Sequence, residues 1–179
     1  MLLAAALSGA PARAQVGLHA ATHLGIGSID TGRKSAPYRS LGTFNLEAMP
    51  GWRFSPKLMA GLVVDYRLIT QLEDGTGSNA ANFGGKGLTL GLGGTFETGD
   101  AKFLVSYDPF ARHWAPSPQT TYKGSGFHIM AGIQFEPKWF IDVEFSSATY
   151  DEAGIRGLDQ HLRDPRTHWN LALGVSYSY

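Results

Sequence analysis

The chain has 179 residues and no cysteine, which excludes disulfide frameworks, thiolate metal sites and cysteine nucleophiles together. Its formal net charge is zero, so no basic footprint for nucleic acid exists. Only 17% of residues are charged, against about 25% in an average soluble domain, while aromatics reach 12% and glycines number 23.

The first segment, MLLAAALSGAPARAQV, reads as an export signal. Leu2 to Ala10 is a short apolar run, and Ala12-Arg13-Ala14 has the small-x-small form of a cleavage site, which gives a signal peptide over 1–14 and a mature domain over 15–179. No Lys or Arg precedes the apolar run, and a start codon assigned downstream of the true one accounts for that departure. No stretch is long and apolar enough for a transmembrane helix.

From Val16 onward the chain repeats one pattern. Run one places Val16, Leu18, Ala20, Thr22, Leu24 and Ile26 on alternate positions. Run two has Phe44, Leu46, Ala48, Pro50, Trp52 and Phe54, and run three has Leu58, Ala60, Leu62, Val64, Tyr66 and Leu68. Runs four and five carry Leu88, Leu90, Leu92, Gly94 and Phe96, then Phe103, Val105 and Tyr107. Runs six to eight carry Phe127, Ile129, Ala131, Ile133 and Phe135; Trp139, Ile141, Val143, Phe145 and Ser147; and Trp169, Leu171, Leu173, Val175, Tyr177 and Tyr179. Period-two alternation predicts strands with two unlike faces. Pro50 interrupts run two, and a β-bulge over Met49 to Gly51 is expected to accommodate it.

Short connections (SPK, ETGDA, EPK) alternate with long ones, covering roughly 27–41, 69–87, 108–126 and 148–168. All tight turns therefore lie at one end and all long loops at the other, the layout of an all-β, eight-stranded up-and-down antiparallel barrel. The alternating apolar set contains no Asp, Glu, Lys or Arg. The opposite face is small and polar: Thr89, Gly91, Gly93 and Thr95 in run four, Gly174, Ser176 and Ser178 in run eight. That set suits the narrow interior of an eight-stranded barrel, so the apolar face meets lipid and the barrel is transmembrane. Aromatics collect at run ends, with Trp52, Phe54, Phe96, Phe135, Trp139, Tyr177 and Tyr179 at the tight-turn rim and Tyr66, Tyr107, Phe127 and Trp169 toward the loops, as two interfacial girdles.

On these residues (the signal peptide, eight alternating runs, four long loops and the terminal LALGVSYSY) the chain resembles the small outer-membrane β-barrels of Gram-negative bacteria, the OmpA transmembrane domain and OmpX-like group. The resemblance covers 15–179. It implies an outer-membrane location with loops extracellular and both termini periplasmic, and an assembly signal supplied by Val175, Tyr177 and Tyr179 to the barrel-assembly machinery. A barrel without an appended peptidoglycan-binding domain is expected.

Charge on the inward positions is sparse and clustered: Glu47 and Arg53, Asp65 and Arg67, His128, Asp142 and Glu144. Folding about Pro56 sets Glu47 opposite Asp65 and diagonal to Arg67, and folding about Pro137 sets Glu144 diagonal to His128. A salt-bridged plug filling the lumen is expected, with Gly91, Gly93 and Gly132 making room for long side chains such as Arg67; a narrow proton or cation path is the alternative.

Some barrels similar to this one are lipid A deacylases or palmitoyltransferases using a His/Ser/carboxylate group at the rim. Six histidines occur, His19, His23, His113, His128, His161 and His168, and none has serine two residues on, so the deacylase signature is absent. The remaining rim combination is His168 with Ser147 or Ser40. GGKGLT lacks the Gly-Lys-Ser/Thr of a phosphate loop, and no spacing marks a metal or cofactor site.

The long loops are the expected recognition surface. They present Arg33, Lys34 and Arg39, then Arg112, His113 and Trp114, then Ile155, Leu158 and Leu162 at the spacing of a short amphipathic helical turn. Contact with lipopolysaccharide phosphates and docking of another envelope or surface protein are the expected partner modes. The function expected is thus a non-catalytic outer-membrane barrel serving envelope integrity or recognition.

Overall fold

The computed structural model describes residues 15–30, 38–72, 83–116, 119–155 and 158–179. The segment 1–14 and the loop residues Arg33 and Lys34 lie outside the described residues. Eight strands, β1 (Gln15–Asp30), β2 (Tyr38–Ser55), β3 (Leu58–Gln71), β4 (Gly85–Thr98), β5 (Ala101–Ala115), β6 (Thr120–Glu136), β7 (Trp139–Ile155) and β8 (Leu158–Ser178), pair antiparallel in chain order and close into a barrel. Closure runs in unbroken register along the β1–β8 seam from His19 opposite Ser178 to Ile29 opposite His168. Leu18 and Tyr179 then exchange backbone hydrogen bonds of 2.9 and 2.8 Å. A closed ring leaves no unpaired edge within the membrane-spanning part, which is the condition for a sheet to cross lipid.

The alternation sorts as its chemistry dictates. Leu24, Ile26, Leu92, Val105, Ile133 and Leu173 point outward and are exposed, while their alternate neighbours are buried in the lumen. The turn-end girdle forms from exposed Trp52, Phe54, Phe96, Phe135, Trp139 and Tyr179, and Tyr107, Phe127 and Trp169 stand exposed toward the loop end.

Three expectations are corrected. First, β2 has no bulge at Pro50: its register to β1 is continuous, and the ladder to β3 omits Met49 and Pro50 and resumes unshifted at Gly51 opposite Gly61. Those two glycines bring the β2 and β3 backbones so close that a Cβ on either would collide with a neighbouring carbonyl, so an unpaired proline is tolerated without an inserted residue.

Second, most of the third and fourth long loops is strand. β5 continues to Ala115 and β7 to Ile155, leaving connections of only 116–119 and 156–157. Third, Ile155 and Leu158 are paired strand residues rather than parts of a helical turn, and Leu162 lies in an irregular stretch of β8 where the register to β7 shifts between Tyr150 and Glu152. Arg39 and Trp114 likewise lie in strands, β2 and β5.

Candidate functional site

The lumen is the only densely charged interior among the described residues. Five carboxylates (Glu47, Asp65, Asp108, Asp142, Glu144) share it with Arg67, Lys102 and three histidines, His19, His23 and His128, all buried. A chain of contacts starts at Lys102 Nζ on β5, 3.4 Å from His19 Nδ1 on β1. His19 Nε2 lies 3.2 Å from Glu47 Oε1, and Glu47 Oε2 lies 3.1 Å from His128 Nε2. His128 Nδ1 then reaches Asp108 at 3.3 Å and Ser106 Oγ at 2.8 Å.

A second chain also starts at Lys102, with Asp142 at 3.7 Å. Asp142 lies 4.0 Å from His23 Nε2, and His23 Nδ1 lies 3.1 Å from Glu144. Glu144 accepts a hydrogen bond from Asn45 Nδ2 at 3.3 Å and meets Arg67 at 3.5 Å, and Arg67 pairs with Asp65. Ser176 on β8 also accepts from Lys102. The two chains tie opposite walls of the barrel together. In a dry interior each charge requires such a partner, because an unpaired one costs several kcal/mol, on the order of 3–5.

Ser106, His128 and Glu47 have the connectivity of a nucleophile, a base and an orienting carboxylate. Access decides against that chemistry. Ser106 is 3% exposed, His128 is wholly enclosed, and an apolar cap lies over the charged layer at the loop end. A second apolar cluster, Met49, Met59, Val63, Leu104 and Met130, lies beside the charged network in the turn-end half, with Lys102 on the turn side of Leu104. Toward the loops, Ile29, Leu41, Ile69, Phe83, Tyr122 and Tyr150 form a cap. His113 and His168 are buried in that cap, with ring centroids 6.3 Å apart. A vestibule of about 700 Å³ opens at the turn end, lined by Arg53, Glu97, Phe140 and Ser178 among others.

A closed ring of eight antiparallel strands with an apolar outside and a charged, plugged inside leaves one architecture. The chain has the fold of the small eight-stranded outer-membrane β-barrels. Among solved structures it is similar to Neisserial surface protein A, at 16% identity and TM-score 0.52 over 90% of this chain and 95% of that one. It is also similar to Ail, the attachment invasion locus protein of Yersinia pestis, at 12% identity and TM-score 0.53 over 92% and 99%. A weaker likeness, to the outer membrane protease OmpT of Escherichia coli (11% identity, TM-score 0.39, over 97% and 99%), carries no argument about activity. No protein-family model matches the chain, and no curated protein matches it in sequence.

Within this outer-membrane barrel fold, Glu47 stands opposite Asp65 on the β2–β3 ladder, Asn45 stands opposite Arg67, and His128 is diagonal to Glu144. His128 nevertheless pairs with Glu47 across the lumen and with Asp108 on the neighbouring β5. Arg53 lies apart from the buried network: it is at the turn-end mouth, 3.3 Å from Glu97 and hydrogen-bonded to Ser178 Oγ at 2.7 Å. The room at Gly91 and Gly132 serves the Asp108 and Asp142 carboxylates rather than Arg67, since a Cβ there would strike them.

The rim combination of His168 with Ser147 or Ser40 does not form. His168 points into the lumen, whereas the alternation puts both serines on the outer wall. Val175 and Tyr177 lie on the outer face of β8 and exposed Tyr179 follows directly after it, with Tyr177 packed on Trp139 at 5.1 Å between centroids. His19, His23, Lys102 and Asp108 belong to the network although the sequence reading did not place them there. His19 and His23 sit on the inward positions of run one, four residues apart, and that parity was the signal available.

Proposed function

We propose that the protein is a sealed, non-catalytic barrel of a Gram-negative outer membrane that serves envelope integrity and surface contact through its loop end. Its loops face the exterior and both chain ends face the periplasm. Lipopolysaccharide packs against its wall, and Val175, Tyr177 and Tyr179 engage the assembly machinery during insertion. The observation that carries this reading is that the charged network is wholly buried in the lumen under an apolar cap at the loop end, which leaves the outer wall, the loop end and the turn-end vestibule as the accessible surfaces. Leu158, 70% exposed at the tip of the β7–β8 ribbon, supports docking of another envelope or surface protein there.

Lipid A mass spectra from cells with and without the gene test the non-catalytic part. Identical spectra are expected, and a gene-dependent change in acylation or headgroup overturns it. Native mass spectrometry of the protein extracted in mild detergent tests the docking: a stoichiometric envelope protein supports it, and a chain carrying lipid alone reduces the reading to a free-standing structural barrel.

A second reading, a narrow proton-conducting barrel, draws on the alternation of imidazoles and carboxylates from Lys102 to Asp108. The apolar cap at the loop end argues against it. Planar-bilayer current at a proton gradient is expected to stay at background, and a current abolished by His128→Ala would reinstate it.

A further inference from the structure

Three neighbouring ladders shift register close together. The β5–β6 ladder does so at Pro109 and Phe110, the β6–β7 ladder at Asp151, and the β7–β8 ladder between Tyr150 and Glu152. The bulges bend the wall and cut a notch of about 320 Å³ into its outer surface. Its polar lining is Arg112, Lys123, Ser125, Asp151 and Glu152, beside the ring of Phe110.

The notch sits where the apolar belt ends. Phe127 is the last outward aromatic on β6, and Ser125 and Lys123 are the next outward positions. The eight-residue span from Phe135 to Phe127 covers roughly 20 Å along a tilted strand, close to the height of an outer-membrane apolar band. A headgroup would therefore lie level with the notch and its acyl chains alongside Tyr107, Phe127 and Ile129.

Both signs of charge line the same concavity. Arg112 and Lys123 face each other across the β5–β6 ladder. The Arg112 guanidinium lies 4.7 Å from the Phe110 ring centroid, and its buried Nε has no hydrogen-bond partner among the described residues. Lys123 pairs with Asp159 from β8. From β7 come Asp151 and Glu152, the latter 3.6 Å from His161. A bare phosphate entering the notch would meet two carboxylates, and a bare cation would meet an arginine and a lysine. A group carrying a phosphate and a primary ammonium a few bonds apart complements both sets at once.

We propose that this notch binds the phosphoethanolamine group of a phosphoethanolamine-capped lipid A, the phosphate on Arg112 and Lys123 and the ammonium on Asp151 and Glu152. The assignment rests on the orientation proposed above, which puts the loop end in the lipopolysaccharide leaflet. It goes beyond that reading by naming one headgroup and the residues that select it.

The test uses the full-length folded protein in detergent micelles, titrated by native mass spectrometry with lipid A with and without the phosphoethanolamine cap, and with phosphatidylethanolamine. Heat-modifiable migration on gels checks that each variant is folded. The capped form is expected to be retained about tenfold better than the uncapped form, the scale of one added charge-assisted hydrogen bond. Asp151→Asn with Glu152→Gln is expected to erase that preference, and Arg112→Gln to weaken both forms.

Equal retention of the two forms, or a preference untouched by the β7 substitutions, overturns the site and leaves an ordinary surface ion lattice. Phosphatidylethanolamine held as tightly as capped lipid A overturns the lipid A assignment, because the notch would then read the headgroup alone. Failure of the membrane reading itself looks different: the protein would fractionate away from the outer membrane.

Discussion

The lumen contains two buried layers built on opposite chemistry. The middle layer is held by pairs, Glu47 with His19 and His128, Glu144 with His23 and Arg67. The loop-end cap is held by volume, with Ile29, Leu41, Ile69, Phe83, Tyr122 and Tyr150 packed together. Both are shut from solvent, so burial alone does not distinguish them. Tolerance does. A paired layer fails when one partner is removed, whereas a packed layer loses free energy in proportion to the space left behind.

The sharpest way to break the middle layer is Arg67→Met. It leaves Asp65 and Glu144 without their shared cation, and a loss of about 3–5 kcal/mol is expected in urea titrations of the protein in lipid vesicles, followed by tryptophan fluorescence. Adding Asp65→Asn to that variant is expected to restore a large part of the loss; no recovery would mean that Arg67 acts through packing rather than pairing.

Outside the barrel the polarity rule is reversed. Leu92→Arg on the exposed wall of β4 is expected to cost about 2–4 kcal/mol in the same titration, and a neutral result would place that wall in water. In the cap, Ile29→Val removes one methylene and is expected to cost about 1 kcal/mol, far less than Arg67→Met despite equal burial. Smallest of all, Leu158→Asn at the exposed tip of the β7–β8 ribbon is expected to stay within about 0.5 kcal/mol. A large loss there would show that the ribbon tip is packed against something.

The middle layer was partly legible in the sequence, and the cap was not. Alternation assigns Glu47, Asp65, Arg67, His128, Asp142 and Glu144 to the inside, and hairpin folding places Glu47 opposite Asp65. Hairpins give only the neighbouring strand, however. The pairing of His128 with Glu47, and of His19 with Lys102, runs across the lumen between strands that share no ladder, so it depends on barrel shape and side-chain reach.

Lys102 and Asp108 were hidden for another reason. They flank the run Phe103 to Tyr107, one beside a turn and the other beside the Pro109–Phe110 bulge. Past that bulge the inward parity changes from even to odd, with Ala111, His113 and Ala115 buried. A strict alternation stops at such a shift, which is why the upper halves of β5 and β7 read as loops and the cap they build went unseen.

The seam between β1 and β8 has a kinetic consequence. His19 and His23 ride on the first strand, while their partners Lys102, Asp142 and Glu144 come from the second half of the chain. Hairpins of high local content can assemble early, but these contacts join residues 83 or more positions apart and need the ring to shut. Until then an open sheet would present a row of charge that neither lipid nor water fully accommodates. Joining the two edges therefore also brings these charges to their partners, so closure of the ring and neutralisation of the interior are one event.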